Sequence, residues 1–277
     1  MKFDSNRAWQ QAVTSVSANR DVLFPVAGVF FLLPAVLSGY FMADLQAAMM
    51  QSLGDPEAMA RLMDGHMGSF FGVGLATALA QAIGGLALLA LLTDRTRPTV
   101  GQAIGSAIRA LPTLIGAGLV MAFGYLLLAV VFALVSGGTA GASSGLAGIV
   151  LMVMLVVMVY VTVKLSLLLP VVVIERVMNP LAALARSWRI TRGNSFRIFA
   201  FYALLFVTYI VLATVATMLV LGLFALVTEP GALAMLFTGV VSGTIGAIAN
   251  VLFIAVLAAV HRQLAGPSAE AVSRTFE

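Results

Sequence analysis

Cysteine is absent from the sequence, which excludes disulfide bonds, thiolate metal sites and cysteine nucleophiles. Charge is scarce as well, because Asp, Glu, Lys and Arg make up 9% of the residues, against about 25% in an average soluble protein. The few basic residues fall in short polar stretches, and the formal net charge is only +4. Such a distribution does not form a nucleic-acid-binding surface, so we expect no nucleic acid partner.

Hydrophobic residues instead make up 61% of the 277 positions, more than a soluble fold of this size could bury. A helix that crosses the hydrocarbon core of a membrane needs roughly 20 mostly apolar residues. Since open strand edges cannot satisfy their backbone in lipid, we predict an all-α polytopic bundle of six transmembrane helices. The six predicted spans are residues 22–43, 67–92, 114–135, 146–174, 198–227 and 233–260.

The bundle is expected to form one domain over residues 1–265, followed by a flexible cytoplasmic tail over residues 266–277. Lys and Arg residues that flank the spans stay on the cytoplasmic side of a membrane. Arg61 alone falls on the other side, so we predict cytoplasmic N- and C-termini. The basic residues on the predicted cytoplasmic side are Lys2, Arg7, Arg20, Arg95, Arg97, Arg109, Arg176, Arg186, Arg189, Arg192, Arg197, Arg262 and Arg274.

Each of the three cytoplasmic polar stretches has the pattern of an amphipathic helix that leads into an odd-numbered span. In the third stretch Asn179 is a good cap, Pro180 suits the first helical position, and Gly193 can end the helix in a left-handed conformation. We expect these helices in the plane of the lipid headgroups, in three repeats of interfacial helix plus membrane hairpin. Their apolar faces are Trp9, Val13 and Val16; Val100, Ile104, Ala107, Ile108 and Leu111; and Leu181, Leu184, Ala185 and Trp188.

The segment over residues 164–193 carries the most specific pattern, with a basic residue, two prolines, one glutamate and a run around a tryptophan. These positions are Lys164, Pro170, Glu175, Pro180, Ala183, Arg186, Ser187, Trp188, Thr191 and Gly193. The segment resembles the membrane-domain family of bacterial glycerophosphoryl diester phosphodiesterases, which also occurs as stand-alone proteins. The resemblance implies a multi-pass domain of a bacterial inner membrane, with the phosphodiesterase activity on a separate soluble domain of the fused proteins.

Histidines that could act as a catalytic acid and base are limited to His66 and His261, and the predicted spans place them on opposite sides of the membrane. Asp64 near His66 could begin a metal site, although a solvated pair is the commoner arrangement. We find no nucleotide-binding loop, zinc spacing or nucleophile elbow. The sequence therefore predicts no catalytic residues, no metal site and no cofactor.

Lys164 is the charged residue that lies well inside a predicted span, where a charge is costly and often functional. One interpretation is structural: the side chain extends to the headgroups, or bonds Asn250 and backbone carbonyls. The other is that an anionic lipid phosphate completes a site at Lys164. Nearby basic residues would attract that lipid, namely Arg186, Arg189, Arg192 and Arg197.

Prolines and glycines within the spans predict where helices bend and where they approach closely. Pro25 and Pro34 should loosen the first helix, and Pro170 should loosen the fourth beside Lys164. Small-residue stripes allow two backbones to approach, and we assign them a packing role. The stripes are Gly239, Gly243 and Ala247 in the sixth span, and Gly68 and Gly72 in the second.

The sequence favours a non-enzymatic membrane protein that binds or organises lipids, or acts as a membrane scaffold for an unidentified protein partner. One alternative is a transporter for a small anionic solute or lipid, which would predict polar residues clustered at the midplane. The other is an enzyme that acts on lipid headgroups. Asp94, Glu175 and His261 around one cytoplasmic pocket would favour that enzyme.

Overall fold

The computed structural model describes residues 2–94, 98–138, 144–227 and 232–265, and throughout these residues the chain is all-α without strands. Ten α-helices follow one another, with a π-helical turn over Gly28–Leu32 between the first two. They are α1 (Ser5–Ala27), α2 (Leu33–Phe41), α3 (Ala43–Gln51), α4 (Pro56–Thr93), α5 (Val100–Gly138), α6 (Ser144–Leu165), α7 (Leu168–Ile174), α8 (Pro180–Ile190), α9 (Ser195–Val227) and α10 (Ala232–Ala265).

Six helical stretches in the described residues are long and apolar enough to cross a membrane, which confirms the predicted fold class. The single domain over residues 1–265 stays a prediction. The predicted tail over residues 266–277 lies outside the described residues, as do Arg95, Arg97 and Arg274. The six stretches are Ser5–Phe41, Pro56–Thr93, Val100–Leu134, Gly148–Ile174, Ser195–Phe224 and Leu236–Ala265.

The first two polar stretches are continuous with their spans, whereas the third forms the separate helix α8. In α1 the buried stripe is Ala8, Ala12 and Val16, while Trp9 and Val13 of the predicted apolar face are exposed. Alanine side chains let α1 approach α10 closely, and the larger side chains are turned outward. The structure does not confirm the predicted in-plane helices or the three-fold repeat.

Pro34 disrupts the first membrane helix, as predicted, whereas α1 continues through Pro25. Pro34 has no N–H to donate to Phe30, and the backbone widens just before it into the π-helical turn. The Leu33 N–H there bonds back to the Gly28 carbonyl, five residues earlier. The chain keeps its helical direction through this turn and continues into α2.

The packed core lies at one end of the bundle. There α10 contacts α1, α4, α7 and α9, and its residues from Ile254 to Val260 are all buried. The helices α5, α6 and α9 are mostly exposed apolar surface along their candidate spans. We call the packed end the basic end, where the Phe3 N–H donates to Asn194 Oδ1 (2.9 Å) and the Asp4 N–H donates to Gln263 Oε1 (3.1 Å).

Two glycines permit close helix contacts. A Cβ on Gly84 in α4 would meet the Cβ of Phe30, and a Cβ on Gly243 in α10 would lie 2.9 Å from Leu32 Cδ1. Gly243 therefore has the packing role that the sequence predicts. A Cβ on Gly68 or Gly72 would meet no atom within 4 Å, so the stripe in the second span makes no such contact.

The Gly84→Ala substitution should lower the melting temperature of the detergent-solubilised protein, because overpacking costs about 1–3 kcal/mol. Gly72→Ala in the same helix is the matched control. Both changes gain about 1 kcal/mol of helix propensity, but only the Cβ at position 84 collides. Equal melting temperatures for the two variants would contradict the close contact between α4 and Phe30.

Candidate functional site

The helix that carries Lys164 breaks one residue after it. Pro170 cannot donate an N–H to the Ser166 carbonyl, and α6 ends at Leu165 before α7 begins at Leu168. The Lys164 carbonyl instead accepts hydrogen bonds from Ser187 Oγ (2.9 Å) and Thr191 Oγ1 (3.3 Å). Hydroxyl groups of a different helix thus satisfy a backbone group at the break that Pro170 was predicted to cause.

Both ends of α8 have the local geometry that the sequence predicts. Asn179 Oδ1 accepts from the N–H groups of Leu181 (3.0 Å) and Ala182 (3.2 Å), and Pro180 follows at the first helical position. Gly193 has φ +85°, so the predicted cap and the predicted left-handed end are both confirmed. Gly116 of α5 faces Pro180, and a Cβ on it would lie 2.9 Å from Pro180 Cγ.

The Lys164 ammonium lies beneath two aromatic rings. Nζ is 5.4 Å from the ring centroid of Tyr160 and 5.4 Å from that of Trp188, and the two rings contact each other edge to face. Lys164 is 3% exposed, yet among the described residues its ammonium has no hydrogen bond or ion pair. Two cation–π contacts offset only part of the cost of burying a charge.

Asn250 does not bond Lys164 in the structure. Its Nδ2 donates to the Gly246 carbonyl one turn earlier in α10, at 2.9 Å. The proposed structural role of Lys164 as an Asn250 partner therefore has no contact to support it. The arginines of the predicted lipid-binding set differ in their surroundings. Arg189, Arg192 and Arg197 are exposed, whereas Arg186 bonds a carboxylate.

That carboxylate belongs to Glu175, at the end of α7. Arg186 donates to it twice, with Nε to Oε2 at 2.7 Å and Nη2 to Oε1 at 3.2 Å, and His261 Nε2 lies 2.9 Å from Oε1. Burial raises the pKa of Glu175, but the hydrogen bonds and charges of Arg186 and His261 outweigh it, so the pKa is lowered overall. Glu175 is therefore ionised near neutral pH and joins α7, α8 and α10.

Arg176 extends this cluster to α4. Its backbone has φ 54°, a left-handed conformation that is strained for arginine, and its guanidinium lies 3.9 Å from Asp94 Oδ2. Glu175 and His261 are thus in direct contact, whereas Asp94 pairs with Arg176, the residue that follows Glu175. Among the described residues no three His, Asp or Glu side chains lie close enough to hold a metal ion.

The sequence did not predict the contact of Glu175 with Arg186 and His261. One signal was present: Glu175 is the only acidic residue in the sequence between Asp94 and Glu229. A lone carboxylate next to a basic segment indicates an ion pair, although its partner depends on the turn at Asn179.

Glu175→Gln should destabilise the protein by about 1–3 kcal/mol, because the Arg186 guanidinium and the His261 ring lose a charged hydrogen-bond partner. The loss should be smaller than for a fully buried ion pair, because the Arg186 side chain is 36% exposed and solvent screens its charge. Asp64→Asn, at an exposed position, is the control. Thermal unfolding in detergent measures both.

The pH dependence gives a second readout of the same variant. A lowered folded-state pKa stabilises the fold above the ordinary value of 4.5, and this contribution is lost as the pH falls through the lowered pKa. The difference between the parent and Glu175→Gln should therefore be full at pH 7 and shrink below pH 4.5. A difference that grows with acidification would contradict the ion cluster.

Comparison with known proteins adds one finding. Residues 142–264 match the family model described as the membrane domain of glycerophosphoryl diester phosphodiesterase. This span includes Lys164, α8 and His261, and the match confirms the resemblance that the sequence indicated. No curated protein and no solved structure matches the chain. Together with the six apolar helices, the match identifies a multi-pass integral membrane protein.

Proposed function

We propose that this multi-pass protein binds anionic lipid, with the phosphate group bound by Lys164 where α6 meets α8. The observation that supports the proposal is a buried lysine whose ammonium lies beneath the rings of Tyr160 and Trp188, with no anionic partner among the described residues. The role is non-enzymatic: the protein organises lipids in the membrane or presents them to a protein partner. Arg189, Arg192 and Arg197 attract the lipid to the site, at about 1 kcal/mol for each basic residue near an anionic surface.

The length of α6 supports a phosphate at this depth. The helix has 22 residues, Ser144–Leu165, and measures about 33 Å at 1.5 Å per residue. That length is close to the roughly 30 Å thickness of the hydrocarbon core. Lys164 is its last residue but one, so its ammonium would lie near the membrane boundary, where lipid phosphates lie.

The amphipathic character of α8 places it at the same boundary. Ala183, Ser187 and Ile190 are buried against the bundle, while Leu181 (64% exposed) and Trp188 (39%) are accessible to lipid. An exposed tryptophan beside arginines is typical of helices that lie at headgroup level. A lipid beside α8 would then bring its phosphate within reach of Lys164.

The membrane orientation is part of the proposal. The helix α5 has 39 residues and is about 58 Å long, nearly twice the hydrocarbon thickness. Its first turns, which precede the predicted span 114–135, would therefore extend beyond the bilayer at the basic end. The arginines of the basic end favour the cytoplasmic side of a bacterial inner membrane, with both chain termini cytoplasmic.

Lys164→Ala should reduce lipid retention at least about tenfold, because a charged hydrogen bond contributes about 1.5–3 kcal/mol. Native mass spectrometry of gently extracted protein measures the retained lipid, and it would also reveal a co-purifying protein. Lys2→Ala is the matched control, since Lys2 and Lys164 are the only lysines in the chain. Lys164→Arg keeps the charge and should retain the lipid.

Equal retention of anionic lipid by the parent and Lys164→Ala, with Lys164→Ala folded, would reject the site. A loss of lipid in Lys2→Ala as well would show that surface charge, rather than the site under Trp188, controls retention. Retention of a co-purifying protein without lipid would favour the scaffold role.

The orientation can be tested by labelling, because the chain contains no cysteine. Met178→Cys lies at an exposed position of the basic end, and Gln51→Cys lies at the end of α3. A membrane-impermeant maleimide should label Gln51→Cys in intact spheroplasts and Met178→Cys only after permeabilisation. The reverse pattern would overturn the proposed orientation.

An enzyme that acts on lipid headgroups is a second candidate, and one observation favours it. His261 Nε2 and Glu175 Oε1 are 2.9 Å apart at the basic end, a geometry that a catalytic base and its orienting carboxylate also adopt. The bidentate contact with Arg186 instead supports a structural role for this carboxylate. Release of headgroup from radiolabelled phospholipid by the parent, and not by Glu175→Gln, would favour the enzyme.

A further inference from the structure

A groove between α1 and α10 has no part in the proposed lipid site. It is an open surface groove with a volume of about 450 Å³. Both helices run through the basic end, where Asp4 and Gln263 join them. The polar side chains that line the groove are Gln10, Gln11, Thr14, Ser15, Asn19 and Arg262.

The hydrogen-bonding groups of this groove are largely unused. Gln11 Oε1 is buried and has no hydrogen-bond partner. A buried acceptor without a donor costs about 1–3 kcal/mol, and a rotation of the Gln11 amide that brings Oε1 to a ligand donor in the groove would recover that loss. Asn19 Nδ2 donates to the Ser15 carbonyl at a kink where the Asn19 backbone leaves helical geometry (φ −123°, ψ 15°). Asn19 and Arg262 both line the groove.

The lining of the groove carries a positive charge and no negative charge. Arg262 is its only charged lining residue, and no carboxylate lies within 4 Å of the guanidinium among the described residues. A guanidinium flanked by amide and hydroxyl groups is well suited to a phosphate oxygen. The lining therefore combines one anion-binding group with neutral groups that both donate and accept hydrogen bonds.

We propose that the α1–α10 groove binds a phosphate group carried on a small hydroxyl- or amine-bearing molecule. Arg262 binds the phosphate, Thr14 and Ser15 donate to its oxygens, and Gln11 Oε1 accepts from the hydroxyl or amine of the ligand. The ligand is either a water-soluble phosphate compound or a lipid headgroup, since both carry the same chemistry. This site lies on other helices than Lys164 and does not depend on lipid binding there.

The experiment uses the full chain with Lys164→Ala as the background, which removes the first lipid site. It compares this background alone with the background plus Arg262→Gln and with the background plus Arg109→Gln. Arg109 is an exposed arginine of α5 outside the groove lining and serves as the control. Isothermal titration with inorganic phosphate and with phosphoethanolamine tests the soluble source. Native mass spectrometry after incubation with phosphatidylglycerol nanodiscs tests the lipid source.

Phosphoethanolamine should bind at least tenfold more weakly to Arg262→Gln than to Arg109→Gln, and inorganic phosphate should show the same order. Lipid retention that depends on Arg262 without soluble binding would support the headgroup source. If neither source distinguishes Arg262→Gln from Arg109→Gln, the proposal is wrong. If Arg262→Gln fails to fold, Thr14→Ala, a milder change in the same groove, must weaken the binding of phosphoethanolamine instead.

Discussion

The hydrogen bonds from Ser187 and Thr191 to the Lys164 carbonyl are the contact on which the basic end depends. A proline breaks the membrane helix, and the amphipathic helix α8 and its cap supply donors for a carbonyl at the break. The same contact brings Trp188 over the Lys164 ammonium. The docking of α8 therefore provides a hydrogen-bond donor for the Lys164 carbonyl and also covers the Lys164 ammonium with an aromatic ring.

Packing is unequal along the bundle, and the inequality has a physical reason. At the basic end α1, α4, α7 and α10 bury one another, and Glu175 links α7 and α8 to His261 of α10. Elsewhere α5, α6 and α9 expose apolar side chains along most of their spans. Lipid acyl chains solvate such surfaces as well as neighbouring helices do, so these three helices need no tight packing along their spans.

Hydrophobic run length predicted the six membrane helices, because the bilayer imposes a minimum length on each span. Local chemistry likewise predicted the Asn179 cap, the Gly193 turn and the break near Pro170. The contacts of the site could not be predicted in this way. Asn250 and Ser187 are both polar, yet Asn250 bonds a carbonyl of its own helix while Ser187 bonds the Lys164 carbonyl. The Ser187 contact depends on the docking of α8 against α6, which the local sequence does not show.

Solid-state nuclear magnetic resonance can measure the distance between the Lys164 ammonium and a lipid phosphorus directly. The chain has two lysines, so ¹⁵Nζ-lysine labelling of a Lys2→Arg variant leaves one signal. In bilayers that contain anionic lipid, ¹⁵N–³¹P recoupling should give a distance of about 4 Å, as expected for an ammonium hydrogen-bonded to a phosphate oxygen. A signal without measurable ³¹P dephasing in those bilayers would contradict lipid binding at Lys164.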